Sequence, residues 1–406
     1  MYAVIIAAVL ALTSFSIKPN PRAPNADAAL EHAVEDADFV VHLDVASTLG
    51  ANYGVLARLP EDSIIKQVPE LREQIAQAVM QVEAGRAMAK GMVGFDFVTD
   101  VSSITAFVKL APGAPKPDVL VAVRGTFPPD LVGKLASSMG GKAGSVDGRA
   151  TATMPDGTML ASTKSGVLLV GKTEWVTARA ADAWKAPARA KGSPWARIAT
   201  ALDGRPFFLV ASKPSAALVA QATKDLGDNF GRELVANHTV GVLAASATGL
   251  SWMYEAKDVA FARRLETASK GLIDLMRAAH LAPRGVAQVA VAALPSYAGK
   301  SKELDAVIAA KDKLLGAVWD LTGDGKFRAT VKVDGKLLTV VATGKKFSDV
   351  VPSSFVVGLG AIGFLTARGE AKAEEAKPAT VRPAPKKPMP PRSGGGLGTP
   401  VKPKTK

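Results

Sequence analysis

Two stretches of this chain carry the same short pattern some 179 positions apart, R-A-T-A-T-M-P-D-G-T-M-L at residues 149–160 and R-A-T-V-K-V-D-G-K-L-L at residues 328–338. Each alternates apolar and polar side chains around an Asp-Gly pair, a dipeptide suited to tight hairpin turns because both central residues of a type I′ turn need positive φ. A hairpin written twice points to duplication, since self-similarity at a fixed spacing is how repeated architecture shows in sequence. The chain therefore reads as an α+β fold, two tandem αβ pseudo-repeats with mostly antiparallel sheets, ending in a disordered C-terminal tail.

With 406 residues, 48% of them hydrophobic, the chain can fill two cores of ordinary size. The expected organisation is a signal peptide at 1–28, a first repeat at 29–186, a linker at 187–204, a second repeat at 205–352, a short apolar segment at 353–367 and the tail at 368–406. In the first repeat, residues 39–45 alternate as a strand with Phe39, Val41, Leu43 and Val45 on the apolar side. Ile64, Val68, Leu71, Ile75, Val79 and Val82 follow at three- and four-residue steps, which predicts one apolar helix face, with Pro69 as its kink or its true start. Strands at 104–110 and 119–126, a helix after Pro129, short strands joined by Asp147-Gly148 and Asp156-Gly157, and a strand at 167–170 complete the unit. The second repeat follows the same grammar with strands at 207–211, 240–245 and 250–255 and a helix at 259–276, plus helical material at 303–319 before the Arg328 hairpin.

The two termini carry the compartment and charge signals. Residues 2–17 form an apolar run, and Ala26-Asp27-Ala28 gives an A-x-A cleavage site, the pattern of a secretory signal, although no Lys or Arg precedes the run. The expectation is export to the periplasm or envelope, with an uncleaved inner-membrane anchor as the alternative. The formal net charge of +13 is concentrated at the other end, where residues 377–406 hold eight Lys or Arg and no acid. Beyond residue 367 the chain is rich in Pro, Gly and Lys and poor in large apolar side chains, so burial cannot offset the entropy of ordering it. Its bases, represented by Lys386, Lys387 and Arg392, suit an anionic envelope surface or an acidic protein. With no aromatic residue interleaved among them, base stacking is missing and nucleic acid is a poor fit.

Chemistry is mostly excluded. Without cysteine there is no disulfide, thiolate metal site or cysteine nucleophile, and the four histidines lack the i, i+4 spacing of a helical metal site. Gly358-Leu359-Gly360-Ala361-Ile362-Gly363 matches a dinucleotide fingerprint, but the tail begins too soon for the second strand that fingerprint needs. Residues 320–325 open like a calcium-binding loop, yet Arg328 and Val331 occupy its ninth and twelfth positions. Ser63-Ile64-Ile65-Lys66 and Lys164-Ser165-Gly166 resemble penicillin-binding elements, without any S-x-N to complete them. His42 and Asp44 share a strand face and read as a structural or solvent-facing pair. Trp175, Trp184 and Trp195 flank the linker and read as packing between halves, with Trp252 and Trp319 further on. No catalytic, cofactor or metal residue is assigned. The expected role is an exported, non-enzymatic envelope binding or scaffold protein with a basic flexible tail. The alternatives are a serine hydrolase of unknown substrate and a cytoplasmic protein with a nucleic-acid-binding tail.

Overall fold

The computed structural model describes residues 25–351, apart from 62–65, 67–68, 112, 115, 227–228, 300–304, 306–307, 314 and 317–325. The signal-like run, the segment 353–367, the loop 320–325, Trp319, Ser63 and the tail with Lys386, Lys387 and Arg392 lie outside the described residues.

Mixed helix and antiparallel sheet is the architecture. Among the described residues twelve strands join into one sheet in the order β11-β12-β10-β9-β8-β1-β2-β3-β7-β6-β5-β4. The central pair is β1 (Phe39–Asp44) against β8 (Phe208–Ser212), antiparallel, with Val41 opposite Val210. From that seam β2 (Val101–Lys109) and β3 (Asp118–Gly125) run outward on one side, and β9 (His238–Ser246) and β10 (Gly249–Ala256) on the other. Outward from the β1–β8 pair, the strand order on each side is a short strand followed by two longer ones, β2 and β3 on one side and β9 and β10 on the other. The first half then ends in a four-strand meander, β4 (Lys142–Val146) to β7 (Val167–Lys172), the second in one hairpin, β11 (Arg328–Asp334) and β12 (Leu337–Thr343).

The sequence echo is local and does not mark equivalent strands. It aligns β11 and β12 with β5 (Arg149–Thr153) and β6 (Thr158–Ser162), whereas by position β12, next to β10, corresponds to β7, next to β3. The Asp-Gly pairs differ as well. Asp147 and Gly148 both have positive φ (48° and 76°) and make the tight two-residue turn, but at Asp156-Gly157 only Gly157 does, in a longer connection where Asp156 accepts from the Thr158 amide.

The helices close the two faces unequally. On the back face, α1 (Ala26–Ala29), α5 (Thr173–Ala180) and α6 (Pro194–Asp203) cover Val40, Phe107, Leu120, Leu209, Ala211 and Val242 in a cluster that spans both halves. The stretch 187–204, expected as a linker, is thus half core helix: Ser193 caps α6, Pro194 starts it, and Trp195, Ile198 and Leu202 are buried. Trp195 lies 6.4 Å from Phe107, so this tryptophan packs α6 onto the β2 strand. On the front face, α4 (Leu131–Ser138) covers the outer strands of the first half and α9 (Val259–Ala293) those of the second. Between β1 and β2 come α2 (Ala51–Arg58) and α3 (Pro69–Val93), and Pro69 is the first described residue of α3, a position where its missing N–H costs nothing. Ile75 and Val79 are half-buried as the spacing predicts, but Val82 is 52% exposed.

The alternation expected for β1 is present with its faces exchanged. Val40, His42 and Asp44 are fully buried, and Phe39, Val41 and Leu43 are the half-buried side. A central strand of a two-faced sheet needs apolar or satisfied side chains on both sides, which simple alternation does not separate.

Candidate functional site

The side chains that β1 directs to the front face begin an unusual surface. Val41 pairs with Ala106 and Val210, Ala106 with Val121, and Val210 with Leu243, so one apolar row crosses five strands. All of these are only partly buried, and Leu243 is 38% exposed. At the second-half end the row runs beneath α9.

Asp258 fixes where α9 starts by accepting the Phe261 amide at 2.7 Å. Phe261, Ala262, Leu265 and Ile273 then fall on one helix face and pack against Tyr254, Leu338 and Ala342 of the sheet. Beside this contact a cavity of about 290 Å³ remains open, bounded by Leu243, Leu250 and Trp252 from the sheet and by Ser269, Leu272 and Met276 from the helix. Among the described residues no charged side chain lines it. Ser269 is 3% exposed and its hydroxyl has no hydrogen-bond partner among the described residues. A helical serine usually satisfies itself on the carbonyl four residues back. An unpaired buried hydroxyl costs about 1–3 kcal/mol, and here it faces an apolar space.

The outer side of α9 is apolar too. Leu272, Leu275, Val286 and Val289 are 48%, 65%, 70% and 72% exposed. Steps of three, eleven and three residues put them on one flank, with Ala279 between and Asp274, Arg277 and Arg284 on a different side. The flank begins at Leu272, which also bounds the cavity, so the mouth and the stripe are continuous.

One further pair lies on the front face. Ser212 Oγ and His238 Nε2 are 2.8 Å apart, and the His238 ring stands edge-on to Tyr254 at 5.0 Å. Burial lowers the His238 pKa, while the Ser212 carbonyl, 3.4 Å from the same Nε2, works against this. Ser212 is opposite Gly241, two strand positions from Leu243 at the cavity mouth. No carboxylate hydrogen-bonds His238 among the described residues.

The residues singled out from sequence fall elsewhere. His42 is buried on the back face with Nδ1 2.9 Å from Thr105 Oγ1, and burial pushes its pKa down to about 4. Asp44 accepts from the Ser47 amide at 3.0 Å, so this is a structural and not a solvent-facing pair. Lys66 pairs with Glu61 at 2.7 Å, and Ser165 donates to Glu31 Oε1 at 2.9 Å, so these serine-hydrolase signatures do not assemble among the described residues. Trp184 donates to the Glu31 carbonyl at 2.9 Å. The cavity, Ser269 and the Ser212–His238 pair left no spacing signal, because strand and helix meet there across long chain separations.

Among the described residues no cluster of His, Asp and Glu could hold a metal ion, and no helix is long and apolar enough to cross a membrane. No family model and no curated protein matches the chain. A solved structure titled "Structure of crystal form I of TP0453" is similar over 77% of this chain and 91% of that one, at 10% identity and a TM-score of 0.33. Likeness at that level assigns neither fold nor function.

Proposed function

We propose that this is an exported, non-enzymatic protein of the cell envelope that rests on an anionic lipid surface. The observation that carries it is the apolar flank of α9. Contiguous exposed apolar stripes mark association surfaces, and an apolar helical flank is how proteins lie in a lipid interface. The basic tail supplies the matching charge: eight Lys or Arg with no acid over residues 377–406 favour anionic headgroups, each base near such a surface contributing about 1 kcal/mol. The apolar run at 2–17 supports export.

The test is flotation of the purified protein with vesicles of phosphatidylglycerol and phosphatidylcholine. Binding to the anionic mixture is expected, weakened at least tenfold by Leu275→Asp with Val286→Asp. Deleting 377–406 is expected to remove its salt dependence. Equal flotation of all three proteins would overturn the proposal, as would recovery of the native protein from the cytoplasm.

A second reading has one specific observation behind it. The Ser212–His238 hydrogen bond is the first requirement of a serine nucleophile. A hydrolase would label with a fluorophosphonate probe and lose the label in Ser212→Ala, whereas a structural pair would not label at all.

A further inference from the structure

The cavity beneath α9 is more than a packing defect. Burial of an unpaired hydroxyl in an otherwise apolar lining combines two costs in one place, the empty space and the unsatisfied donor. One ligand relieves both. At about 290 Å³ the space is roughly twice the ~150 Å³ apolar cavity that takes up a benzene ring, large enough for a single alkyl chain or a small bicyclic ring system and too small for a two-chain lipid. With no cation in the lining, an ionised carboxylate would enter unpaired, which its desolvation forbids. Leu243 and Leu272, 38% and 48% exposed, give the space an apolar threshold open to the surface.

We infer that the cavity between α9 and strands β9, β10 and β12 is a binding site for one neutral acyl or alkyl chain bearing a carbonyl or hydroxyl oxygen, which accepts the Ser269 hydroxyl while the chain fills the apolar space. Arginines and acids of α9 lie on its other sides and stay out of the site. The site needs no lipid bilayer to operate, so it stands or falls separately from surface association. The oxygen-bearing chain can arrive as a free fatty ester or alcohol, or as the acyl chain of a membrane lipid.

The test uses the full chain in bilayer-free buffer with the uncharged fluorophore N-phenyl-1-naphthylamine. We expect saturable enhancement at one probe per protein, displaced by methyl decanoate and decanol about 3–10-fold more tightly than by decane, the range of one net hydrogen bond. Ser269→Ala should keep probe binding and abolish that preference. Leu243→Trp, which fills the mouth, and Leu272→Arg, at an exposed position that tolerates change, should each weaken the probe at least tenfold. No enhancement with the folded chain, or enhancement indifferent to both mouth variants, overturns the site. A preference unchanged in Ser269→Ala overturns the serine's role, and loss of uptake on self-association assigns the cavity to a second copy instead. A final arm separates the sources: displacement by lysophosphatidylcholine below its micellar concentration, as strong as by methyl decanoate, points to membrane lipid, and its failure points to the free ester or alcohol.

Discussion

The two ends of the sheet's front face solve the same problem with different helices. In the first half, α4 is only eight residues long, and its Leu131, Val132 and Ala136 are buried against Ala152, Leu160 and Leu168. Strand and helix match in length there, so the cluster closes. In the second half, α9 runs 35 residues, about 52 Å at roughly 1.5 Å per residue, over a hairpin of two seven-residue strands. A helix that long cannot be covered by strands that short. Its first turns pack, a cavity opens beside Ser269, and Leu275, Val286 and Val289 lie outside. The two ends of one sheet thus carry a closed core and an open apolar surface.

The seam between the halves bounds how far that contrast can be pushed, and the N-terminal segment tests it most severely. Ala26, Ala29, Leu30, Ala33 and Val34 are 1–3% exposed in the cluster shared by both halves. Asn25 caps α1, the Ala26 amide donates to Asp203, Arg189 pairs with Asp27, and Arg124 holds the Ala28 carbonyl. Cleavage after Ala28 would remove the cap and leave the ammonium of Ala29 inside that cluster, an uncompensated buried charge worth about 3–5 kcal/mol. A chain starting at Ala29 is therefore expected to lose its cooperative unfolding transition or at least that much stability, whereas one starting at Asn25 keeps it. Chemical denaturation of the two truncations checks this. Equal stability would mean the N-terminal packing does not join the halves, and if export occurs, the processed terminus should lie before Asn25.

Within the first half, Leu131→Ala should cost about 3–4 kcal/mol, the range for emptying a filled aliphatic site, because α4 has no slack to collapse into. A cost under about 1 kcal/mol would erase the contrast between the closed and open ends.

Acid probes the back face that both halves share. The imidazoles of His32 and His42 are held down to about 4 by burial; Glu31 works against this at His32 and Asp44 at His42, while Arg124 reinforces it at both. Neither ring nitrogen of His32 has a hydrogen bond among the described residues. In the unfolded chain each would titrate near 6.5, so between about pH 6.5 and 4 the unfolded state binds the extra protons and stability falls as pH falls. The expected loss is on the order of 3 kcal/mol per histidine at pH 4 relative to pH 7, read as a steep drop in Tm. A His42→Asn variant should flatten part of it. No change in Tm across that window would place water, and not packed protein, around these rings.

How much of this was legible beforehand follows from what sequence records. Strand alternation, the Asp147-Gly148 turn and the helix start after Asp258 depend on neighbours in the chain, and they were readable. The fold class followed from them. Which face of β1 is buried was not, because both carry apolar residues and the choice depends on α1, α5 and α6 arriving from up to 160 residues away. The helix inside 187–204 was not readable for a related reason: Ala, Pro and Gly around Lys191 masked the amphipathic segment that begins at Pro194. The candidate site was the least readable, since Ser269 looks like any helical serine until Leu243 and Trp252 are brought beneath it.

The smallest expected effect separates packing from function most cleanly. Leu275 is 65% exposed, so Leu275→Ala should change stability by less than about 0.5 kcal/mol, in contrast to Leu131→Ala. The same substitution should still weaken vesicle binding by about two- to fivefold, since truncating one leucine gives up part of the roughly 1.5–3 kcal/mol that fully burying such a side chain provides, and an interface covers only some of it. A leucine that matters to the fold would move both readouts together, and a leucine that merely decorates the surface would move neither. Only a side chain kept outward for contact with an apolar phase loses binding while leaving the melting curve where it was. Measured beside Leu131→Ala, this one pair decides whether the open end of the sheet is an unfinished core or a working surface.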